Sequence, residues 1–179
     1  MFYSAFYDSL VGKLFMTSDG INLTGLWIKK QKYPAGIDPR DVREKEDLPV
    51  FVQTAGWLDK YFQKQNPAIC ELPLAPEGGK FRQTVWKILC DIPPGQVWTY
   101  GGIAKMIARQ TGKKVMAAQA VGGAVGHNPI SIIIPCHRVV GTNGNLTGYG
   151  GGLDVKIKLL ELEGADMSRL FRPKKGTAL

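Results

Sequence analysis

Three successive residues, Cys136, His137 and Arg138, are the part of this chain best suited to covalent chemistry. They lie in the segment 128–140, NPISIIIPCHRVV, where an apolar run and a proline precede the cysteine. A cysteine beside apolar residues is usually inert packing, and the other two cysteines of the chain fit that interpretation. Cationic neighbours stabilise a thiolate and lower its pKa, so the sequence predicts Cys136 as a nucleophile at neutral pH.

A base is needed to take the proton of this thiol, and the adjacent histidine is the candidate. Neighbouring side chains of an extended chain point to opposite faces, so we expect His137 to reach the Cys136 sulfur through water or after a turn following Pro135. A carboxylate would fix the tautomer of the histidine, and Glu161 and Glu163 are both candidates. Spacing does not choose between them, and a solvated helix face is the alternative for either.

The second half of the chain is predicted to be mainly helical around this segment. Helical spacing and turn residues predict helices over 81–90, 100–109, 115–125 and 153–163, and an apolar strand over 131–134. Thr99 is the expected N-cap of the second helix, and Gly164 is the expected C-cap of the last. The second and third helices, with the basic connection 109–114, are typical of a helix-turn-helix, although many helical hairpins bind nothing.

The helix over 115–125 consists almost wholly of small residues and includes Gly122 and Gly123. Glycine inside a helix costs up to about 1 kcal/mol relative to alanine, so a compensating gain is expected. Close packing in the core is one explanation. Close approach of the backbone to a ligand such as DNA is the other.

The first half of the chain is predicted to start with strands and continue with one helix. Strands are expected over 2–6, 10–16 and 21–27, with a hairpin turn at 18–20, and an exposed loop or short helix over 38–47. Residues 50–65 place an aromatic and aliphatic stripe at helical spacing: Phe51, Trp57, Leu58, Tyr61 and Phe62. The Pro- and Gly-rich segment 73–80 predicts a boundary between domains 1–78 and 79–179.

Charge is distributed unevenly between these halves. Residues 1–78 contain 9 Lys and Arg against 10 Asp and Glu, whereas residues 79–179 contain 14 against 5, and the net charge is +8. Such polarity favours a polyanionic partner for the second half, although basic surfaces also serve solubility. We see no signal peptide, membrane span, disulfide framework or zinc ligand set, and therefore expect a cytoplasmic protein without metal or cofactor.

The residues 81–164 as a whole resemble the O6-alkylguanine-DNA alkyltransferases. The resemblance is carried by IPCHRVV, by GHNPI before it and by YGGGLDVKIKLLELEG after it, together with TYGGIAKMIA and AQAVGGA. It implies an α+β fold with a small N-terminal α/β domain of the ribonuclease-H-like type, which would be a scaffold or would gate access to Cys136. A C-terminal winged helix-turn-helix-like domain would then bind DNA and carry the active site.

The resemblance implies DNA repair by a single, irreversible transfer of an alkyl group from O6-alkylguanine in double-stranded DNA to Cys136. Repair of O4-alkylthymine, and cooperative binding of monomers along DNA, are left open. His137 would be the base acting through water, and Glu163 would orient it. Asn128 would order the turn that carries the cysteine, and Tyr100 would donate a proton or hydrogen bond to the departing guanine, unless it is a packing residue.

The resemblance also implies a surface for DNA and the flipped base. The residues it assigns there are Gln119, Ala120, Gly122, Gly123, Arg138, Val139, Tyr149, Gly150, Lys113 and Lys114. Tyr149 and Gly150 would cover the base, with backbone groups near Val139 and Gly150 reading its edges. Arg138 would hold local structure and DNA, a plain surface arginine being the alternative. Gln119 departs from the arginine common in the family, which puts the efficiency of base extrusion in doubt.

Two other classes of function use the same residues. A cysteine hydrolase would need Cys136 and His137 as a dyad, for which adjacency is poor geometry. A non-catalytic lesion-binding or regulatory protein would use the same helices without needing the thiol. Multiple turnover would indicate the hydrolase, and normal lesion binding without alkyl uptake would indicate the binder.

Overall fold

The computed structural model describes residues 1–28 and 42–173, which form two compact units. The first unit contains Met1–Glu77 and Pro129–Ile133, and the second contains Gly78–Asn128 and Ile134–Leu179. The chain therefore leaves the second unit after Asn128 and returns to it at Ile134, two residues before Cys136. None of the helices within the described residues is long and apolar enough to cross a membrane.

The first unit is built on a four-stranded sheet in the order β3-β2-β1-β4. Its strands are β1 (Phe2–Ser9), β2 (Gly12–Ser18), β3 (Leu23–Ile28) and β4 (Val42–Glu44). The first three strands are antiparallel neighbours, and β4 lies parallel to β1. The three predicted strands and the turn between the second and third are confirmed. The prediction of a loop or helix over 38–47 is wrong for 42–44, and its residues 38–41 lie outside the described residues.

The α-helix of the first unit, α1 (Pro49–Phe62), buries four of the five residues of the predicted stripe, and Phe62 is half-buried. Proline occupies its first turn, where no backbone N–H is needed. Phe51, Trp57, Leu58 and Tyr61 are buried, and the Trp57 indole donates a hydrogen bond to the Ala68 carbonyl. The stripe is therefore a core face.

The second unit carries four α-helices, two short strands and two single turns of 3-10 helix within the described residues. The α-helices and strands are α2 (Lys80–Cys90), β5 (Trp98–Thr99), α3 (Tyr100–Gln110), α4 (Ala118–Gly126), β6 (Val139–Val140) and α5 (Leu153–Leu162). The side chain of Thr99 accepts a hydrogen bond from the Gly102 N–H, which confirms it as the N-cap of α3. The Trp86 indole donates to the Ala124 carbonyl and so joins α2 to α4. The four predicted helices are confirmed, although α4 begins three residues later than expected.

The prediction of a strand over 131–134 is wrong, because these residues form a turn. Ile132 has a φ of 71°, in the left-handed region that β-branched residues rarely adopt. Hydrogen bonds run from the Leu26 N–H to the Pro129 carbonyl and from the Ser131 N–H to the Leu26 carbonyl. A short apolar run is buried in a strand or in a turn, and hydrophobicity alone does not distinguish them. The turn delivers the chain to Cys136.

Candidate active site

Cys136 begins a single turn of 3-10 helix, Cys136–Arg138, directly after Pro135. Only 7% of the residue is exposed. The side-chain amide of Asn128 donates to the Ile134 carbonyl at 2.8 Å and to the Cys136 Sγ at 3.1 Å. One amide group therefore holds both the turn and the sulfur. This is a turn after Pro135, which was one of the two geometries expected for the cysteine and histidine.

Glu163 is the carboxylate that contacts His137, and it also binds Arg138. His137 Nε2 lies 2.8 Å from Glu163 Oε1, and the guanidinium of Arg138 donates to both carboxylate oxygens at 2.9 Å. Arg138 donates in addition to the carbonyl of Ile92. Gly95, with a φ of 78°, packs against the backbone of Glu163, since a Cβ there would lie 2.9 Å from the Glu163 carbonyl oxygen. The side chains of His137, Arg138 and Glu163 are almost wholly buried.

The protonation state of this triad follows from its contacts. Burial opposes ionisation of Glu163, but the hydrogen bonds and charges of His137 and Arg138 outweigh it and hold the pKa of the carboxyl well below its usual value. Burial lowers the pKa of His137 despite the carboxylate beside it, so the imidazole is neutral. An ionised Glu163 requires Nε2 to carry the hydrogen. Nδ1 then holds the basic lone pair, and no atom of the described residues is hydrogen-bonded to it.

The expectation that His137 and Arg138 would lower the pKa of the thiol is wrong. Burial raises the pKa of Cys136, while the Asn128 hydrogen bond and the charge of Lys156 act in the opposite direction. Arg138 forms an ion pair with Glu163, and His137 is neutral, so neither side chain acts as the expected cationic neighbour of the sulfur. The resting sulfur is therefore a thiol whose proton must be removed for reaction.

Lys156 is a buried residue of this site that sequence reasoning missed. Its side chain is fully buried, and Nζ donates to the Val139 carbonyl at 2.6 Å and to the Thr147 carbonyl at 3.3 Å. Burial lowers its pKa to about 8, opposed by the nearby Cys136. A signal was present, because helical spacing puts Lys156 on the same face as the buried Leu159 and Leu160.

Tyr100 and the loop before α5 form the other side of the site. Tyr100 is the first residue of α3, and its phenol oxygen accepts a hydrogen bond from the Thr147 hydroxyl at 3.2 Å. Burial raises the pKa of Tyr100, so the phenol keeps its hydrogen. The ring of Tyr149 meets the His137 ring edge-on, with centroids 6.4 Å apart, and Gly150 is exposed beside it. The sequence-predicted Tyr100 and Tyr149 are thus both linked to the site.

The two glycines of α4 differ in burial, which distinguishes packing in the core from close approach of a ligand as the reason for each. Gly122 is buried, which fits core packing, whereas Gly123 is exposed and a Cβ there would meet nothing within 4 Å. Gln119 and Ala120 are exposed on the same helix. Space around Gly123 is not taken up by the protein, so packing within the chain does not explain its lack of a side chain.

A basic groove lies beside this helix. Its volume is about 390 Å³, and Lys105, Arg109, Lys113 and Lys114 contribute to its walls. Arg138, in contrast, is buried, which is inconsistent with a plain surface arginine, and its guanidinium faces Glu163 and Ile92. The predicted polyanion-binding residues thus separate into exposed lysines and one interior arginine.

The fold and the site define a class of protein, a two-unit α+β chain with a buried Cys-His-Glu site in its helical unit. Residues 2–76 match the family model of the 6-O-methylguanine DNA methyltransferase ribonuclease-like domain. Residues 80–165 match that of the 6-O-methylguanine DNA methyltransferase DNA binding domain. The chain belongs to the 6-O-methylguanine DNA methyltransferase family. It is a DNA-repair transferase that moves an alkyl group from DNA to a cysteine of the protein.

Individual relatives agree over nearly the whole chain. The methylated-DNA–protein-cysteine methyltransferase of Haemophilus influenzae is 43% identical over 162 residues, covering 90% of this chain and 86% of the relative. That of Mycobacterium bovis is 42% identical, covering 87% and 88%. The crystal structure of Mycobacterium tuberculosis OGT in complex with DNA superimposes with a TM-score of 0.76 at 38% identity, covering 94% of both chains. DNA is therefore the partner, and the expected fold class is confirmed.

Proposed function

We propose that Cys136 is the cysteine that accepts the alkyl group, once per chain, from the O6 atom of an alkylated guanine in double-stranded DNA. The observation that supports this assignment is the arrangement around one sulfur. Cys136 Sγ accepts a hydrogen bond from Asn128, and the adjacent His137 is neutral, tied through Nε2 to Glu163. Cys70 is exposed and lies in the other unit, and burial raises the pKa of Cys90 to about 11.

The proton of the thiol passes through water to His137 Nδ1. Nε2 donates to Glu163, so the imidazole can accept a second proton only at Nδ1, and the ionised carboxylate stabilises the imidazolium that forms. The charge of Lys156 and the amide of Asn128 stabilise the thiolate at the same moment. The thiol of Cys136 therefore becomes a thiolate only when His137 accepts its proton.

The thiolate attacks the alkyl carbon in line with the bond to O6. A carbon–sulfur bond forms, the carbon–oxygen bond breaks, and its electron pair leaves with the purine. Tyr100 donates its phenol hydrogen to the purine anion. Water then returns a proton to Tyr100, and His137 releases to water the proton that it took from the thiol, so that the net result is transfer of one proton from the thiol to the purine. The product at Cys136 is a thioether, which water does not readily cleave, so each chain reacts once.

DNA reaches this site through the second unit, and we assign residues 79–179 the DNA-binding and transfer functions and 1–78 a scaffold role. The open face of α4 at Gly123 and Ala120 suits close approach to the minor groove. Gln119 would fill the space left by the extruded nucleotide, and Lys113 and Lys114 would contact phosphates. Tyr149 and Gly150 would cover the base, and the backbone near Val139 would read it. The protein acts as a monomer.

Mass spectrometry after mixing with a duplex containing O6-methylguanine tests the assignment. Trypsin cleavage after Lys and Arg leaves one cysteine in each of the peptides 65–80, 88–105 and 115–138. We expect a gain of one methyl group, about 14 Da, confined to peptide 115–138 and limited to one per chain. The variant Cys136→Ala should take up none.

Two controls make the result specific. The variants Cys70→Ser and Cys90→Ser should retain full stoichiometry, and a duplex with O4-methylthymine measures the second lesion in the same assay. Methylation of peptide 65–80 or 88–105, or continued repair by Cys136→Ala, would refute the proposal. Recovery of an unmodified thiol after complete repair would indicate hydrolytic turnover instead.

A further inference from the structure

We infer that Thr147 is a positioning residue for alkyl transfer, whose hydroxyl donates to the phenol oxygen of Tyr100 and so directs the phenol hydrogen toward the departing base. The inference rests on the proposed function of Tyr100 and adds a residue that the sequence motifs did not include. Thr147 does not touch the DNA base in this mechanism. It acts through Tyr100.

The contact joins two segments that are far apart in sequence. Thr147 Oγ1 lies 3.2 Å from the phenol oxygen of Tyr100, 47 residues away. The carbonyl of Thr147 accepts a hydrogen bond from Lys156 Nζ at 3.3 Å, and the same ammonium donates to the Val139 carbonyl at 2.6 Å. Lys156 therefore ties Thr147 to the strand that directly follows the cysteine turn.

A phenol has one hydrogen and an oxygen that can accept hydrogen bonds. When Thr147 donates to that oxygen, the single hydrogen of Tyr100 remains available for a partner outside the pair. The direction matters because a threonine hydroxyl that instead accepted the phenol hydrogen would remove it from the reaction. Thr147 thus directs the phenol hydrogen of Tyr100 toward the purine.

The same hydrogen bond strengthens as the reaction proceeds. Negative charge develops on the Tyr100 oxygen while its hydrogen passes to the purine anion, and hydrogen bonds to a charged acceptor are stronger than those to a neutral one. Burial raises the pKa of Tyr100, and the Thr147 hydrogen bond acts in the opposite direction. An interaction that is stronger in the transition state than in the ground state increases the rate of the chemical step.

Three substitutions at position 147, to valine, alanine and serine, distinguish the contribution of the hydroxyl group from that of the rest of the side chain. Thr147→Val and Thr147→Ala remove the hydroxyl and keep the carbonyl that Lys156 binds, whereas Thr147→Ser keeps both. The single-turnover rate of methyl transfer from an O6-methylguanine duplex should fall about three- to tenfold in the first two variants, as expected for one hydrogen bond. Thr147→Ser should return the rate to near the wild-type value.

A double-variant comparison shows whether the effect runs through Tyr100. In a Tyr100→Phe background, Thr147→Val should cause no further loss, because the acceptor oxygen is already absent. The reaction of Cys136 with methyl iodide has no purine leaving group and should be unchanged in Thr147→Val. Thr142→Val, in an exposed position of the same loop, is the matched control and should retain the wild-type rate.

Several results would overturn the inference while leaving the proposed function intact. Wild-type rates in both Thr147→Val and Thr147→Ala, full additivity with Tyr100→Phe, or an equal loss in the methyl iodide reaction would each do so. Failure of serine to restore the rate would show that the methyl group and not the hydroxyl matters. Failure of the proposed function looks different, because wild-type protein would then take up no methyl group on Cys136.

Discussion

Replacement of Glu163 by glutamine tests the buried ion pair on which the active site is built. The carboxylate accepts one hydrogen bond from His137 and two from Arg138, with only 2% of its side chain exposed. Glutamine has nearly the same volume, but its amide carries no charge and offers one acceptor oxygen in place of two. The variant therefore leaves the Arg138 guanidinium buried without a counterion.

The cost follows from the loss of one partner of a buried pair. Breaking such a pair destabilises a protein by about 3–5 kcal/mol, which is a large part of the roughly 5–15 kcal/mol by which a domain is stable. The pKa of Glu163 is lowered in the folded protein, so its stabilisation is complete above the unfolded value of 4.5 and is lost as the pH falls through the folded pKa. The difference between wild type and Glu163→Gln should therefore be largest near pH 7 and shrink below about pH 4.

Urea denaturation at pH 7 and at about pH 3 measures this difference. Single-turnover methyl transfer measures the effect on His137 as a base. Loss of the carboxylate should slow transfer at pH 7 by about 10²-fold or more, since His137 loses the group that fixes its tautomer and stabilises its protonated form. Glu161→Gln is the matched control, because this residue is exposed on the same segment. A Glu163→Gln variant within about 0.5 kcal/mol of wild type, no different from Glu161→Gln, would refute the reasoning.

Three further variants test the surroundings of the sulfur and the DNA surface. Lys156→Met should slow alkylation of Cys136. The free energy of unfolding of the wild type should rise relative to this variant by about 3 kcal/mol between pH 8 and 10.5, because the cost of burying the ammonium is complete below its folded pKa of about 8 and is relieved above it. Urea denaturation of both proteins across that range measures the rise. Asn128→Ala removes one of the two donors to the Ile134 carbonyl, which keeps its hydrogen bond from the Cys136 N–H, and should lower the free energy of unfolding by about 0.5–1.5 kcal/mol, measured in the same way. Gln119→Arg adds a cation to the exposed face of α4, so a fluorescence titration with duplex DNA should show a plot of log affinity against log salt steeper by about 0.9.

Local signals in the sequence were sufficient for the helical unit. Thr99 caps α3 as its side chain predicts, and α5 ends before Gly164, whose φ of 77° suits a residue without a side chain. The spacing of Phe51, Trp57 and Leu58 likewise predicted the buried face of α1. These features depend on residues close together in the chain, which is why one sequence is enough to find them.

The features that the sequence did not predict depend on contacts between distant residues. The turn over 131–134 is set by its hydrogen bonds to Leu26, more than a hundred positions earlier. The short strand β4 exists because β1 offers it an edge. The choice of Glu163 over Glu161 depends on which side chain α5 turns toward His137, and the spacing of the two glutamates left that open.

The direction of the Cys136 pKa shift shows the same limit and connects the fold to the chemistry. Adjacent cations in the sequence suggested a thiolate, but Arg138 is neutralised by Glu163 and burial outweighs the remaining charge of Lys156. A protein that is consumed by one reaction loses its function through any stray alkylation of this sulfur. A buried thiol with a neutral base beside it reacts slowly with small electrophiles in solution, because the thiolate is the reactive form. In the proposed mechanism, the burial that keeps Cys136 a thiol at rest also limits its reaction to an alkylated guanine bound in the site, where His137 takes the proton and Lys156 and Asn128 stabilise the thiolate as it forms.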